Sequence, residues 1–452
     1  MLFLLQLIVI ACFSMVIVAL FHEKTDFLSY SMLAMLIAVL ATFLFLPEII
    51  TIESVILAIE WEVIFFLIAV FVIVEILDDK QIFQELALRI TRKFETNTRK
   101  FFWIMCITST LSAAFIEDIS VAIIFIPLII KTSEKMNINP TPFLLGVTIC
   151  INLASTLTPF GSSENILIAT KFNLSTTWFI LNLGLYFLFT TFLTLFFLDY
   201  FILKKSLTQI WLPHCTIYDE SCEEIHMQTH ELYILEEPID KKTFNKNMVA
   251  LLIFIALLFV LPNILLAGII GGLIFVFINP RKYEKGKKHP DISYYFSKVD
   301  YKLVFFFICL FVLVYCMEVN GTISIMQGLV LGLEITDLFL MCILILISTS
   351  IFSALLDNVP VTIIFIPIIQ ILIVEAGFIA TPLLIAFILG INLGGNFLPQ
   401  GAICDMMTLE FAKKNFVYDM NYKKLLKIGG IFALLHLVIG IGYLWFYIYV
   451  IL

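Results

Sequence analysis

The chain has 452 residues, of which 61% are apolar and 14% charged, with 45 phenylalanines and a mean hydropathy of +1.06. A globular domain averages about 45–50% apolar and about 25% charged, so this is a polytopic membrane protein and not a soluble enzyme, a nucleic-acid binder or a disordered scaffold. The net charge of −8 decides little, because in such a chain only the sidedness of charge matters.

A spanning helix needs about 20 mostly apolar residues. The opening run, Met1-Leu2-Phe3-Leu4, lacks a basic segment and a small-residue cleavage site, so it is expected as the first span and not as a signal peptide. Ten spans are expected: 2–21, 28–46, 55–77, 141–172, 176–202, 248–263, 265–279, 302–318, 381–411 and 428–450. Two further apolar stretches, 101–130 and 338–372, are too long for one pass and are interrupted by Glu117-Asp118 and Asp357-Asn358. Each is expected as a re-entrant helical hairpin. The hydrophilic stretch 204–247 is a solvated linker. Its His214, Cys215, Cys222, His226 and His230 are metal-capable, but their spacing matches no standard zinc pattern. The remaining cysteines sit singly in apolar runs, as small hydrophobes.

With the N-terminus placed outside, every one of the 27 Lys and Arg except Lys171 falls on one face. Cytoplasmic loops carry that excess. Both termini are therefore expected outside the plasma membrane, with the linker in the cytoplasm.

An internal repeat appears at an offset of 240 without gaps. Val121–Pro127 matches Val361–Pro367, Thr141-Pro142 matches Thr381-Pro382, and Ile151-Asn152-Leu153 matches Ile391-Asn392-Leu393. Pro159 and Gly161 match Pro399 and Gly401. The units are 1–203 and 248–452, joined by 204–247. Five crossings separate the hairpins, so the halves are expected to be inverted. The expected fold is an all-α polytopic membrane protein of two inverted repeats of five spans, each with a re-entrant hairpin and a broken helix. That is the architecture of secondary transporters, with the site at the repeat interface.

Within 141–172 and 381–411 the apolar pattern fails at 152–165 and 392–405, where Pro and Gly open the helix. Carbonyls and side-chain oxygens of Asn152, Ser155, Thr156 and Thr158, with Asn392, Gly394, Gly395 and Asn396 from the second half, are candidate cation ligands. The half-helix N-termini after Gly161 and Gly401 can face an anion. Intramembrane acids are functional by default, and crowded ones suit proton/cation exchange. Glu117, Asp118, Asp357 and Asn358 at the tips therefore join the candidate site. Glu75 fits a snorkelling side chain, Glu60 and Glu62 an interfacial position, and His436 a packing histidine hydrogen-bonded across helices.

At Ser353–Pro360 with Ile366-Pro367, and at Asn392–Asn396 with Pro399 and Gly401, the sequence resembles a known superfamily. It is the ion transporter superfamily, with its NhaD-type sodium/proton antiporters, ArsB-type arsenite permeases and citrate-transporter-like domains. Phe115–Asp118 and Asn152–Thr156 are degenerate partners of those motifs in the first half. The resemblance implies a scaffold domain and a mobile transport domain of both hairpins and both broken helices. It also implies an elevator motion within a homodimer. The dicarboxylate branch carries Ser-Asn-Thr at its tips, whereas acids here would repel a dianion unless a bound cation screened them.

The expected function is secondary active transport in which protons exchange for sodium or another small inorganic ion. Efflux of arsenite, another metalloid or silicic acid is the alternative, with Ser162, Ser163, Asn396 and Cys404 as its partners. A sodium-coupled carboxylate carrier and a channel rank lower. No nucleophile/base pair, metal-ligand motif or phosphate loop points to an enzyme. No cofactor is expected beyond the coupling ion, H⁺ or Na⁺, and no nucleic-acid partner.

Overall fold

The structure, a computed structural model, describes residues 2–21, 26–94, 97–115, 118–207, 240–261, 263–282, 288–332, 335–356 and 358–452. Glu117, Asp357 and the linker's His214, Cys215, Cys222, His226 and His230 lie outside the described residues.

The helices in chain order are α1 (Leu2–Phe21), α2 (Phe27–Phe45), α3 (Ile52–Leu57), α4 (Trp61–Asp79) and α5 (Ile82–Phe94). Next come α6 (Thr98–Ala113) and α7 (Asp118–Lys135), α8 (Thr141–Ala154) and α9 (Ser163–Lys171), then α10 (Thr176–Ser206). The second half holds α11 (Lys241–Val260), α12 (Ile264–Ile278), α13 (Ile292–Phe296), α14 (Tyr301–Val319) and α15 (Thr322–Leu331). It continues with α16 (Leu338–Leu355) and α17 (Asn358–Val374), α18 (Ala380–Gly394) and α19 (Ile403–Lys414), and ends on α20 (Tyr422–Ile451). Seven described helices are long and apolar enough to cross a membrane, and four more are apolar but shorter. Among the described residues the only strand pairing is two residues long and antiparallel, Arg281-Lys282 with Lys288-His289.

Helix bounds recur at the repeat offset. Trp61–Asp79 falls on Tyr301–Val319, and Asp118–Lys135 runs beside the register of Asn358–Val374. The third expected span, 55–77, divides: Thr51 and Ser54 form a capping box that starts α3, and α4 begins only after Glu60. Stretch 78–100, expected as a loop, is largely helix α5. Ile82, Phe83 and Leu86 line its apolar side, and Arg89 Nε pairs with Glu85 Oε1 at 2.7 Å. Six basic residues at 78–100 obscured an amphipathic helix too short and too polar to span. Helix α15 was likewise not anticipated.

Polar contacts between loops respect sidedness. Arg281 pairs with Asp79 at 3.2 Å and Lys302 with Asp26 at 2.8 Å. Arg99 pairs with Asp199 at 2.6 Å, and Asn139 Nδ2 donates to Asp419 Oδ2 at 2.9 Å. Each joins segments that the basic-residue count places on the cytoplasmic face. On the other face Lys171 meets Glu60 at 3.2 Å, and Asn263 Nδ2 donates to Glu62 Oε1 at 3.4 Å. Lys302 first, then Ser29, holds the Asp26 carboxyl down at about 2. That contact therefore persists above the ordinary carboxylate range and is lost only as pH falls toward that value.

Helices α16 and α18 approach through small residues, as membrane helices do. A methyl group at Gly390 would stand 1.9 Å from Thr349 Oγ1 and 2.8 Å from Leu346 O. Gly390→Ala should therefore cost about 1–3 kcal/mol of stability, read as a lower melting temperature in detergent; an unchanged melt would contradict this packing. Cysteines introduced singly at Arg92 and Lys298 should be labelled from one side of the membrane, and one at Lys171 from the other. Labelling of the first two from opposite sides would overturn the topology.

Candidate functional site

Both broken helices open where the sequence demands it. Helix α8 ends at Ala154 and α9 starts at Ser163; α18 ends at Gly394, a single 3-10 turn covers Pro399–Gly401, and α19 starts at Ile403. Backbone freed at this depth must find partners inside the protein. In the first half Thr156, Thr158 and Asn165 supply them, and further side-chain bonds join the two halves.

Asn152 on α8 is fully committed. Its Nδ2 donates to Asp405 Oδ1 at 2.8 Å and to Asn396 Oδ1 at 2.7 Å, while its Oδ1 accepts from Cys404 Sγ at 2.5 Å. Asn392 on α18 repeats this. Its Nδ2 donates to Asn165 Oδ1 at 2.9 Å and to Ile388 O at 2.8 Å, and its Oδ1 accepts from Ser162 Oγ at 3.3 Å. Under the offset of 240, Asn152 corresponds to Asn392 and Asn165 to Asp405. The two bonds are therefore one contact made twice, with donor and acceptor exchanged between halves, as a two-fold relation requires. Within this contact an amide in the first half becomes an acid in the second. Asp405 is 1% exposed.

The tips reach the same network. Asn358 opens α17; its Nδ2 donates to Glu164 Oε1 at 2.9 Å, and its Oδ1 accepts from Ser353 Oγ, which also donates to Ile391 O. Glu164 and Asn165 lie in the first turn of α9, as Cys404 and Asp405 do in that of α19. Asp118 opens α7, and its charge bears on both Cys404 and Asp405. Both half-helix N-termini thus carry acids in their first turns, a favourable placement against the helix dipole. Thr148 and Thr408 add a buried hydroxyl pair at 2.7 Å.

The expected cation ligands separate into groups. Asn152, Asn392, Asn396 and Asn358 converge on the network, and Asp118 borders it. Ser155, Thr156 and Thr158 are also buried, but their hydroxyls tie the opened backbone. Thr156 donates to Leu153 O at 2.8 Å, Thr158 to Ala114 O, and Ser155 weakly to Gly161 O. The carbonyls of Ser155 and Thr158 accept from Asn165 Nδ2. Gly161 is needed for space, since a methyl there would lie 2.9 Å from Ser155 Cα. At Gly394 it would meet Ser350 O at 2.6 Å, so this glycine serves the α16–α18 packing. Gly395 and Gly401 press their backbones together in the second opened stretch. Asn396 Nδ2 is buried without a hydrogen-bond partner, a donor held ready inside the site.

The sequence reading passed over Asp405, Asn165 and Glu164 as site residues. Their signal was available: all three follow the breaks, and the offset that paired Asn152 with Asn392 also pairs Asn165 with Asp405. His436 packs as expected, with its Nε2 2.7 Å from Thr194 Oγ1 across α10 and α20. No group of three His, Cys, Asp or Glu able to hold a metal ion occurs among the described residues.

Asn152→Ala and Asn392→Ala each leave buried partners unpaired, which costs about 1–3 kcal/mol; Thr148→Val should cost less, about 0.6 kcal/mol. Thermal melts in detergent check this order, and equal melts for all three would contradict a load carried by the two asparagines.

A membrane protein of Mycobacterium leprae, named for its 46 kDa mass, is 23% identical over 362 residues, covering 78% of this chain and 79% of that protein. An uncharacterized transporter of Methanocaldococcus jannaschii is 27% identical over 389 residues, covering 85% and 89%. Two solved transporters share the fold. MtrF of Neisseria gonorrhoeae, described within a class of antimetabolite efflux pumps, has a TM-score of 0.59 at 13% identity, covering 91% of this chain and 85% of that one. YdaH of Alcanivorax borkumensis, described as having an unusual topology, has a TM-score of 0.58 at 12% identity, covering 85% and 84%. A family model described as CitMHS, citrate transporter, matches residues 13–390 of the 452, and the chain belongs to that family as a secondary transporter.

Proposed function

We propose that the protein exchanges protons for a small inorganic cation, sodium first among them, with Asp405 as the coupling group. One observation carries this reading. Asp405 is buried, its bonded partners Asn152 and Cys404 are uncharged, and the charge that bears on it is another acid, Asp118. A carboxylate buried without a counter-cation is costly, so it is neutralised by whichever cation reaches it, proton or metal ion. Two species competing for one carboxylate is the chemistry of an antiporter. Asp357 and Glu117, at the tips by sequence, extend the same acidic character. The two hairpins and two broken helices move together as an elevator against the remaining spans, in inverted halves and within a homodimer.

The family's description favours a second reading, in which a carboxylate is carried. Among the described residues no Lys or Arg bonds Asn152, Asn392, Asn358 or Asp405, and an anion bound beside Asp405 would travel best with a metal cation that cancels its charge. Cys404, bonded to Asn152, keeps metalloid efflux as a further arm of the test.

Asp405→Asn is a near-isosteric change that recreates the Asn392–Asn165 pair on the opposite side, so the variant should fold with a near-native melt. In proteoliposomes carrying a pH gradient, native protein should dissipate it on addition of Na⁺ or Li⁺, and Asp405→Asn should not. Dissipation only with citrate plus a metal ion would install the carboxylate reading, and with arsenite alone the metalloid one. Undiminished Na⁺-driven dissipation by Asp405→Asn would remove Asp405 from coupling.

A further inference from the structure

A cavity of about 430 Å³ lies against the second hairpin and is lined by none of the residues of the polar network. Its walls are Ile10, Phe13 and Ile17 on α1, Ile325 on α15, and Phe352, Leu356 and the Val361–Ile368 face of the hairpin. Ile10, Phe13 and Ile17 share one helical stripe. The polar wall residue, Thr322, has its hydroxyl turned to Asn320 Oδ1 at 2.6 Å, which leaves the lining apolar. One turn before Ile10, Gln6 Nε2 donates to Asn320 O at 2.9 Å and ties α1 to the α14–α15 turn.

Such a space does not hold ordered water, which needs two to four polar partners. Its floor is buried at Phe13 and Val361, while its rim is exposed at Ile10, Ile325 and Phe352. On a membrane-spanning chain, that rim is continuous with the lipid-facing surface. The bilayer therefore supplies the occupant, and its volume lies within the range of ligand pockets, about 300–1,000 Å³.

We propose that this cavity is a binding site for one acyl chain of a membrane phospholipid, and that the chain braces the tip of the second hairpin from behind. Leu356 and Val361 face the acyl chain, and Asn358 between them reaches the other way, to Glu164 and Ser353. A filled cavity holds Asn358 against Glu164, and an empty one lets the tip retreat. The binding site stands on the cavity alone. The bracing rests on the proposed movement of the hairpin.

The test is photolabelling of the full chain in nanodiscs with a phosphatidylcholine carrying a diazirine near the end of one acyl chain, followed by peptide mapping. Label should concentrate on residues 10–17 and 361–368, above the level on the exposed residues Leu181, Leu185 and Phe192 of α10. Ile10→Trp fills the cavity from α1 and Ile364→Trp from the hairpin; both should cut that label several-fold and leave the α10 label unchanged. Uniform labelling of both regions, insensitive to either variant, would overturn the site. The label reports on binding whatever the transported solute is, so failure of the cation-exchange reading leaves it untouched. In proteoliposomes the two filled variants should alter turnover of whichever solute is carried, and native turnover in both would overturn the bracing.

Discussion

Opened backbone inside a bilayer has no water to turn to, and the rest of this structure depends on how that demand is met. Each half breaks one helix, and an asparagine beside each break bonds a side chain in the first turn after the other half's break. Asn152 holds the first turn of α19, and Asn392 holds the first turn of α9. These bonds bind the two broken helices into one body, and Asn358 adds the second hairpin to it through Glu164.

The repeat explains the economy of this arrangement, and the halves differ where an acid in one stands against a neutral side chain in the other. Two neutral halves would give two amide pairs and nothing to titrate. Replacing an amide by a carboxyl at Asp405 keeps the size and the acceptor that Asn152 needs, and so disturbs the packing little. It places one ionisable group where solvation is poorest. Cys404 and Glu164 repeat the lesson at the neighbouring pair of positions: the offset makes them equivalent, and their side chains differ. Structural symmetry and chemical asymmetry thus come from the same residues.

Much of the architecture was legible in the sequence, because long apolar runs and a gapless repeat are signals that few other folds produce. The breaks in two helices followed from Asn152 and Asn392 with the Pro and Gly after them. Helix α5 was not, since its basic residues read as loop and its apolar stripe covers only a few turns. The site was legible by region but not by role. Thr156 and Thr158 have the oxygens of cation ligands, and their hydroxyls also donate to backbone carbonyls, a matter of distances that no composition encodes. Asp405 was overlooked for the opposite reason: in sequence it stands past the break, and only folding brings it back to Asn152.

The most direct measurement is of protons themselves. Purified protein in weakly buffered detergent solution should release protons when Na⁺ is added, as the cation displaces them from the buried carboxyl. Asp405→Asn should release none. Equal release from both proteins, or none from the native one with any cation tried, would contradict the assignment of Asp405 as the group at which proton and cation meet.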